Sequence, residues 1–329
     1  MVSARLRLGL AGAALIAISA ALAPWLAPNP PERQFSTYPF APPMRIHVVA
    51  DGAFVRPYVY PLRLEDPLER RYAEDQSRRM TLRWFRSSLV SVPGSEPWFP
   101  FGSDGLGRDV FSRVLAGARL SLGLAGLATV LALVIGAAVG ALAGFADGWL
   151  DEGLMRIADL VLVLPAIYVV LALRGALPLV LGTAQVFGAM VLVLGLVGWP
   201  SVARGVRGIF ITERGSEYAE SARAIGGSPL RVAVRHLLPA ARGFLAVQAT
   251  ILIPAFVLAE ATISFAGLGF APPAASWGVM LQDAASVQTA ADAPWLLAPG
   301  LAIIVTILVV HLAAGGPQAT RRGLFTANH

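Results

Sequence analysis

Residues 204–242 read RGVRGIFITERGSEYAESARAIGGSPLRVAVRHLLPAAR, and they separate two long apolar runs. Seven arginines fall in the stretch: Arg204, Arg207, Arg214, Arg223, Arg231, Arg235 and Arg242. A membrane-spanning helix needs about 20 apolar residues, so a polar stretch of this length between two such runs lies in water. Its spacing predicts a two-helix elbow. Ser216 stands as N-cap of a helix from Glu217 to Ile225, with Glu217 and Glu220 in the first turn, where the helix dipole favours acids. Tyr218, Ala222 and Ile225 share one face of that helix. Gly226 and Gly227 end it, because glycine accepts the left-handed conformation of a sharp C-terminal turn. Ser228 and Pro229 restart a helix as N-cap and first helical residue, and this second helix runs to Leu238 and stops near Pro239. Arg223, Arg231 and Arg235 fall on the polar surfaces. Such an elbow either passes a push from a docked soluble partner to the flanking spans or holds membrane lipid headgroups with its arginines. Residue types alone leave both readings open.

Composition sets the surroundings. The chain is 56% hydrophobic and 14% charged, with a mean hydropathy of +0.66, which defines a polytopic membrane protein. Cysteine is absent, which removes disulfides, thiolate metal sites and a thiol nucleophile. His47, His236, His311 and His329 have no metal-ligand spacing. All 26 basic residues are arginine. Without lysine there is no phosphate-binding loop of the Walker type, so any ATP is hydrolysed by another chain. The net charge of +6 is read as a topology signal and not as a nucleic-acid surface.

Apolar runs at about 8–26, 120–145, 157–178, 185–203, 244–266 and 294–314 predict six transmembrane helices. The expected organisation is an N-terminal tail and first span (1–26), an extracytoplasmic segment (27–119), a five-helix core (120–314) containing the polar loop 204–243, and a tail (315–329). The fold class is all-α, with a small irregular extracytoplasmic insertion. Ala21-Leu22-Ala23 has the small-x-small pattern of a cleavage site, but Pro24 disfavours the cut, and the first span is read as an uncleaved anchor. Arg5 and Arg7, the 204–242 arginines, and Arg321 and Arg322 all fall on one side, which the positive-inside rule makes cytoplasmic. Residues 267–293 carry no basic residue and residues 174–184 only Arg174. Residues 27–119 carry thirteen arginines, but loops this long escape the rule, so counting spans places them outside. Within them, Arg56-Pro57-Tyr58-Val59-Tyr60 suggests an edge strand.

Other positions receive plainer readings. Gly136, Gly140 and Gly144 let another helix approach closely, either within this chain or from a second subunit. Asp104 and Asp109 fit no calcium loop and are read as N-terminal caps of an amphipathic helix carrying Val110, Phe111, Val114 and Leu115. Glu260 is the one acid well inside a predicted span, which marks it for the translocation path. It lies roughly 27 Å along the helix from Arg242, near the outer interface, where water or helix pairing also accounts for it. Trp277 and Trp295 are expected as aromatic-belt anchors, and Arg174 is expected to snorkel outward.

The run Glu217-Tyr218-Ala219-Glu220-Ser221-Ala222-Arg223-Ala224-Ile225-Gly226, continued by Arg235-His236-Leu237-Leu238-Pro239, resembles the EAA loop of permease subunits of bacterial ABC importers. Ser221 stands where that pattern has its first alanine, and His236 where it has isoleucine. Gly102-Ser103-Asp104-Gly105-Leu106-Gly107-Arg108-Asp109 through Arg113, and Ile263-Ser264-Phe265-Ala266-Gly267-Leu268-Gly269-Phe270 with Pro272-Pro273 and Ser276-Trp277-Gly278, are similar to signatures of the second permease of the oligopeptide, dipeptide and nickel group. The resemblance covers about residues 100–312. Residues 27–99 and Gly315-Gly316-Pro317 depart from the group's pattern. The resemblance implies a non-enzymatic subunit of the bacterial inner membrane, without catalytic, cofactor or metal residues. It also implies a second permease, two ATP-binding subunits and an extracytoplasmic solute-binding protein as partners. In the elbow, Glu217, Glu220, Ala222, Arg223, Gly226, Gly227, Leu238 and Pro239 would couple to the ATPase, and a short peptide would be the cargo, with nickel or other small solutes open. The competing reading from the residues is a self-contained secondary transporter or channel, which calls for inverted repeats and mid-membrane charges.

Overall fold

A computed structural model describes residues 4–325 apart from residues 51, 68, 86–87, 94–95, 147, 165–167, 169–181 and 225–227. The chain divides into two compact units, residues 7–123 with 264–309, and residues 1–6 with 124–263 and 310–329. Helices α1 (Ala4–Ala21) and α2 (Ala23–Leu26) carry the first apolar run. Pro24 sits in the first turn of α2, where its missing N–H is not needed.

The insertion that follows is built from strands and is not irregular as expected. They are β1 (His47–Ala50), β2 (Ala53–Val59), β3 (Leu62–Asp66), β4 (Arg71–Glu74), β5 (Met80–Thr81), β6 (Arg83–Trp84) and β7 (Val90–Ser91). They form an antiparallel sheet in the order β1-β2-β5 and two hairpins, β3-β4 and β6-β7. The expected edge strand around Pro57 is the middle strand, β2. Its proline is tolerated because the β1 register slips between His47 and Val49, and a bulge leaves a residue free of the ladder. Ala41, Met44, Val59, Leu62, Met80, Leu82 and Phe99 form the insertion's core.

Helix α3 spans Val110–Phe145, α4 Trp149–Val163 and α5 Thr183–Glu213. With 36 residues, α3 is about 54 Å long and exceeds the hydrocarbon thickness. It starts ten residues before the apolar run because Asp109 caps it, accepting from the Phe111 and Ser112 amides at 3.2 and 3.3 Å. The glycine stripe serves intramolecular packing. A Cβ at Gly136 would lie 2.7 Å from the Trp199 carbonyl oxygen, one at Gly144 2.8 Å from that of Arg207, and one at Gly140 against that of Ala203. These contacts seat α3 on α5, and Ala158 and Met155 of α4 join the same cluster with Trp199 and Ala203.

The polar loop contains α6 (Glu217–Ala224), α7 (Pro229–Val232), a π-helical turn (Ala233–Leu237) and α8 (Leu238–Ala240), before α9 (Arg242–Phe265). Next come α10 (Trp277–Gln282), α11 (Val287–Asp292), a 3-10 turn (Pro294–Leu297) and α12 (Ala298–Phe325). The backbone of α12 thus continues through Gly315-Gly316-Pro317 into what was expected as a tail. Five helical segments among the described residues are long and apolar enough to cross a membrane: Ala4–Ala21, Val110–Phe145, Thr183–Glu213, Arg242–Phe265 and Pro294–Ala314. The sixth expected span, 157–178, lies largely outside the described residues, as does Arg174.

Trp277 and Trp295 are not lipid-facing anchors. Trp277 is buried and donates to the Val114 carbonyl at 3.0 Å. Trp295 packs against Val110, Met280 and Leu296 and donates to the Ser103 carbonyl at 2.9 Å. Each indole has found a carbonyl within its own unit, which serves its N–H as well as interfacial water would.

Candidate functional site

The elbow is anchored on one side and bare on the other. Ala219 of α6, Val232 of α7, and Leu237 of the π turn are fully buried, with Ala241 just beyond α8, and the π turn and α8 pack on α5. Glu217, Glu220, Ser221, Arg231 and Arg235 are exposed. The buried face of α6 is therefore marked by Ala219, whereas Tyr218 is 43% exposed and donates its hydroxyl to Glu213 at 2.6 Å. That carboxylate acceptor raises the Tyr218 pKa. Ser216 does not cap with its side chain. Its hydroxyl turns back to donate to the Glu213 carbonyl at 2.6 Å, while its own carbonyl accepts the Ala219 and Glu220 amides.

Ser228 acts as expected, accepting the Arg231 amide at 3.4 Å with Pro229 at the first helical position. The second helix stops near Pro239 as expected, one residue beyond it at Ala240, with a turn at Ala241. A proline inside a helix removes one amide donor. The preceding π turn absorbs this by widening the spiral, so that Leu238 donates to Ala233 instead of the residue four back. Leu238 and Pro239 are half-buried. Ala222 and Arg223 lie in the backbone of α6, and Gly226 and Gly227 fall outside the described residues. Glu217 and Glu220 lie on α6, and Arg231 and Arg235 on the adjoining α7 and π turn, with α6 and α7 in contact.

Glu260 stands apart, in α9, and has no exposed surface. The expectation that water solvates it at the interface is corrected: burial within the helices removes it from solvent. Two loop arginines prove to be ties instead of free charges, and the sequence reading missed this. Arg207 grips Asp151 with two hydrogen bonds of 2.5 and 2.6 Å, and Arg204 pairs with Asp159. Both acids lie on α4. Asp151 and Asp159, two turns apart on a short amphipathic run, were the signal that these arginines had partners nearby.

This arrangement defines a class: a helical membrane protein whose polar elbow, fixed to a long span, presents charge to the aqueous phase. Residues 136–315 match the model of the family described as "Binding-protein-dependent transport system inner membrane component". A Brucella ovis protein assigned by its name to the peptide permeases is 36% identical over 230 residues, covering 70% of this chain and 74% of its own length. The glutathione transport system permease protein GsiD of Escherichia coli O6:K15:H31 is 36% identical over 229 residues, 70% and 73% of the two chains. The chain belongs to the binding-protein-dependent transport inner membrane family. It is the multi-pass permease component of an ABC importer of the inner membrane, and ATP hydrolysis resides on a separate subunit. Its partners are of the kinds that membership implies: another permease, an ATPase and a solute-binding protein. Membership removes the self-contained secondary transporter.

Proposed function

We infer that the chain forms, with a second permease, the path for short peptides delivered by a solute-binding protein, and that residues 216–239 couple it to two ATP-binding subunits. The observation that carries the coupling reading is the two-sidedness of the elbow. Ala219, Val232, Leu237 and Ala241 are spent on the chain's own packing, and Glu217, Glu220, Arg231 and Arg235 are left bare. A charged surface of this kind costs little while exposed and gains register and orientation when a complementary surface docks. Because the π turn and α8 pack on α5, displacement of the elbow by closing ATPase subunits would be passed to that helix.

Ala222, Arg223, Gly226 and Gly227 belong to the same coupling segment on this reading, with Leu238 and Pro239 holding its second arm. The peptide cargo rests on the names of the relatives, one a peptide permease and one a glutathione permease. Both termini and the elbow are cytoplasmic, supported by the arginine distribution. Glu260 is kept as a candidate for the translocation path, because an ionisable residue inside a span is a functional candidate by default.

The test is purification of the tagged chain from its native membrane. An ATPase subunit should accompany the unaltered chain and be lost with Glu220→Arg, and proteoliposomes of the intact complex should take up a labelled dipeptide on ATP addition. Absence of any ATPase from the unaltered preparation would sink the coupling reading. ATP-dependent uptake of other solutes but not peptides would sink only the cargo.

A further inference from the structure

A cavity of about 590 Å³ opens beside the end of the first span, within the unit formed by residues 7–123 and 264–309. Its walls include Ala23 and Pro24 from the start of α2, Arg119 from α3, Arg33 and Ser91. Two spans independently fix its depth. The first apolar run ends at Leu26, and the apolar part of α3 begins just after Arg119. A cavity touching both points lies at the boundary between hydrocarbon and water.

Charge selects the ligand. Neither Arg33 nor Arg119 has a carboxylate partner among the described residues, and both are exposed. Arg33 rests its guanidinium on the Phe35 ring at 4.8 Å. The one acid in the lining, Glu96, is already engaged, accepting from the Tyr38 hydroxyl at 3.0 Å and pairing with Arg78 at 3.7 Å. Two unpaired guanidiniums in one hollow favour a phosphate, which each can meet with paired hydrogen bonds.

The β6-β7 hairpin, whose Ser91 lines the cavity, supplies the apolar half. The Phe85 ring lies 5.8 Å from that of Trp25, and the Leu89 amide donates to the Trp25 carbonyl at 2.7 Å. The β6-β7 hairpin is thereby fastened to the end of the first span. Phe85 holds a left-handed backbone, φ +57°, a conformation that a bulky residue keeps only when its surroundings hold it there. Trp84 and Phe85 remain 53% and 69% exposed. Aromatic rings at this depth sit at the level of lipid glycerol and upper acyl chains.

We propose that this cavity binds the phosphate headgroup of an anionic phospholipid from the leaflet facing residues 27–99, with Arg33 and Arg119 on the phosphate and Trp84 and Phe85 in the lipid. It stands whatever the cargo is, and the topology above only names the leaflet as the outer one. Native mass spectrometry of the intact chain should show retained phosphatidylglycerol in preference to phosphatidylcholine. The Arg33→Gln/Arg119→Gln variant should lose that preference by roughly twenty-five-fold, since each arginine near an anionic surface is worth about a factor of five. Equal retention by both chains overturns the proposal. Displacement of the lipid by millimolar glycerol phosphate also overturns it, by showing a site for free anions. A second measurement uses the absence of cysteine and does not depend on folding of the double variant. A fluorophore on Trp84→Cys in phosphatidylglycerol vesicles should be quenched by doxyl lipid and shielded from iodide, with Phe54→Cys as the water-exposed control. Iodide quenching equal to that control overturns the proposal.

Discussion

Residues 102–113 and residues 216–239 are made alike, with acids and arginines spaced by glycine, but they treat charge in opposite ways. In the first, Asp104, Arg108, Asp109 and Arg113 are all buried. Asp104 accepts from the Leu106 and Arg108 amides, receives the Arg108 Nε at 2.6 Å and lies 3.5 Å from the Arg113 Nε. Arg108 reaches on to Asp283 at 3.8 Å. In the second, Glu217, Glu220, Arg231 and Arg235 stay in solvent. Desolvated charge is tolerated only when paired and hydrogen-bonded, so the first region's charges are committed to the chain's own fold. Exposed charge contributes little to stability and stays available to a partner.

The sharpest way to break the contrast is to orphan a buried charge. Asp104→Ala leaves Arg108 and Arg113 buried without their shared carboxylate and should cost about 3–5 kcal/mol, read as a large drop in melting temperature in detergent. A change under about 1 kcal/mol would mean that the network is solvated. Gly140→Ala comes next. Its Cβ would run into the Ala203 carbonyl and Val206, and overpacking of this kind costs about 1–3 kcal/mol while leaving the 102–113 region intact.

A smaller, signed effect belongs to Asp109. Burial pushes its pKa up to about 6, against the donors Ser112 and Asn29. A carboxyl whose folded pKa exceeds its unfolded value of 3.8 binds its proton more tightly when folded. The stability it contributes is therefore complete below 3.8 and is lost as pH rises through about 6. Melting temperature should fall between about pH 4 and pH 6, and Asp109→Asn, which keeps an oxygen for the cap, should flatten that slope. Asp283, also raised by burial and by Asp104, slopes the same way, so the variant flattens the profile without abolishing it. An unchanged slope in the variant would mean that Asp109 does not titrate in this range.

How much of this is legible in sequence depends on whether local spacing or distant packing decides. The elbow's existence, the Ser228-Pro229 restart and the Asp109 cap are local, set by residues three or four apart, and they appear where the pattern puts them. Pro57 in a central strand, and Trp277 and Trp295 facing inward, are decided by a bulge and by carbonyls such as Val114, far away along the chain. Glu260 is a related case, since of water, helix pairing and the translocation path its burial removes only the first. Its distance along α9 is readable, but the helices that bury it are not. Arg204 and Arg207 counted correctly as charges, yet only the packing of α4 on α5 shows that they are tied to Asp159 and Asp151.

The smallest stability effect should carry the largest loss of transport. Glu220→Arg changes an exposed side chain with no tertiary partner among the described residues, so its stability should stay within about 0.5 kcal/mol of the unaltered chain. If the elbow's bare charges serve a docked ATPase, the same reversal places like or unmatched charge in a complementary surface, where the penalty reaches several kcal/mol. ATP-dependent dipeptide uptake by the reconstituted complex should then fall at least tenfold. Ser88→Ala, a change in the insertion far from the elbow in sequence, should leave uptake unchanged. An early-melting Glu220→Arg chain that still transports would invert the comparison, making the elbow part of the fold's own framework and leaving the coupling surface to be found elsewhere on the cytoplasmic face.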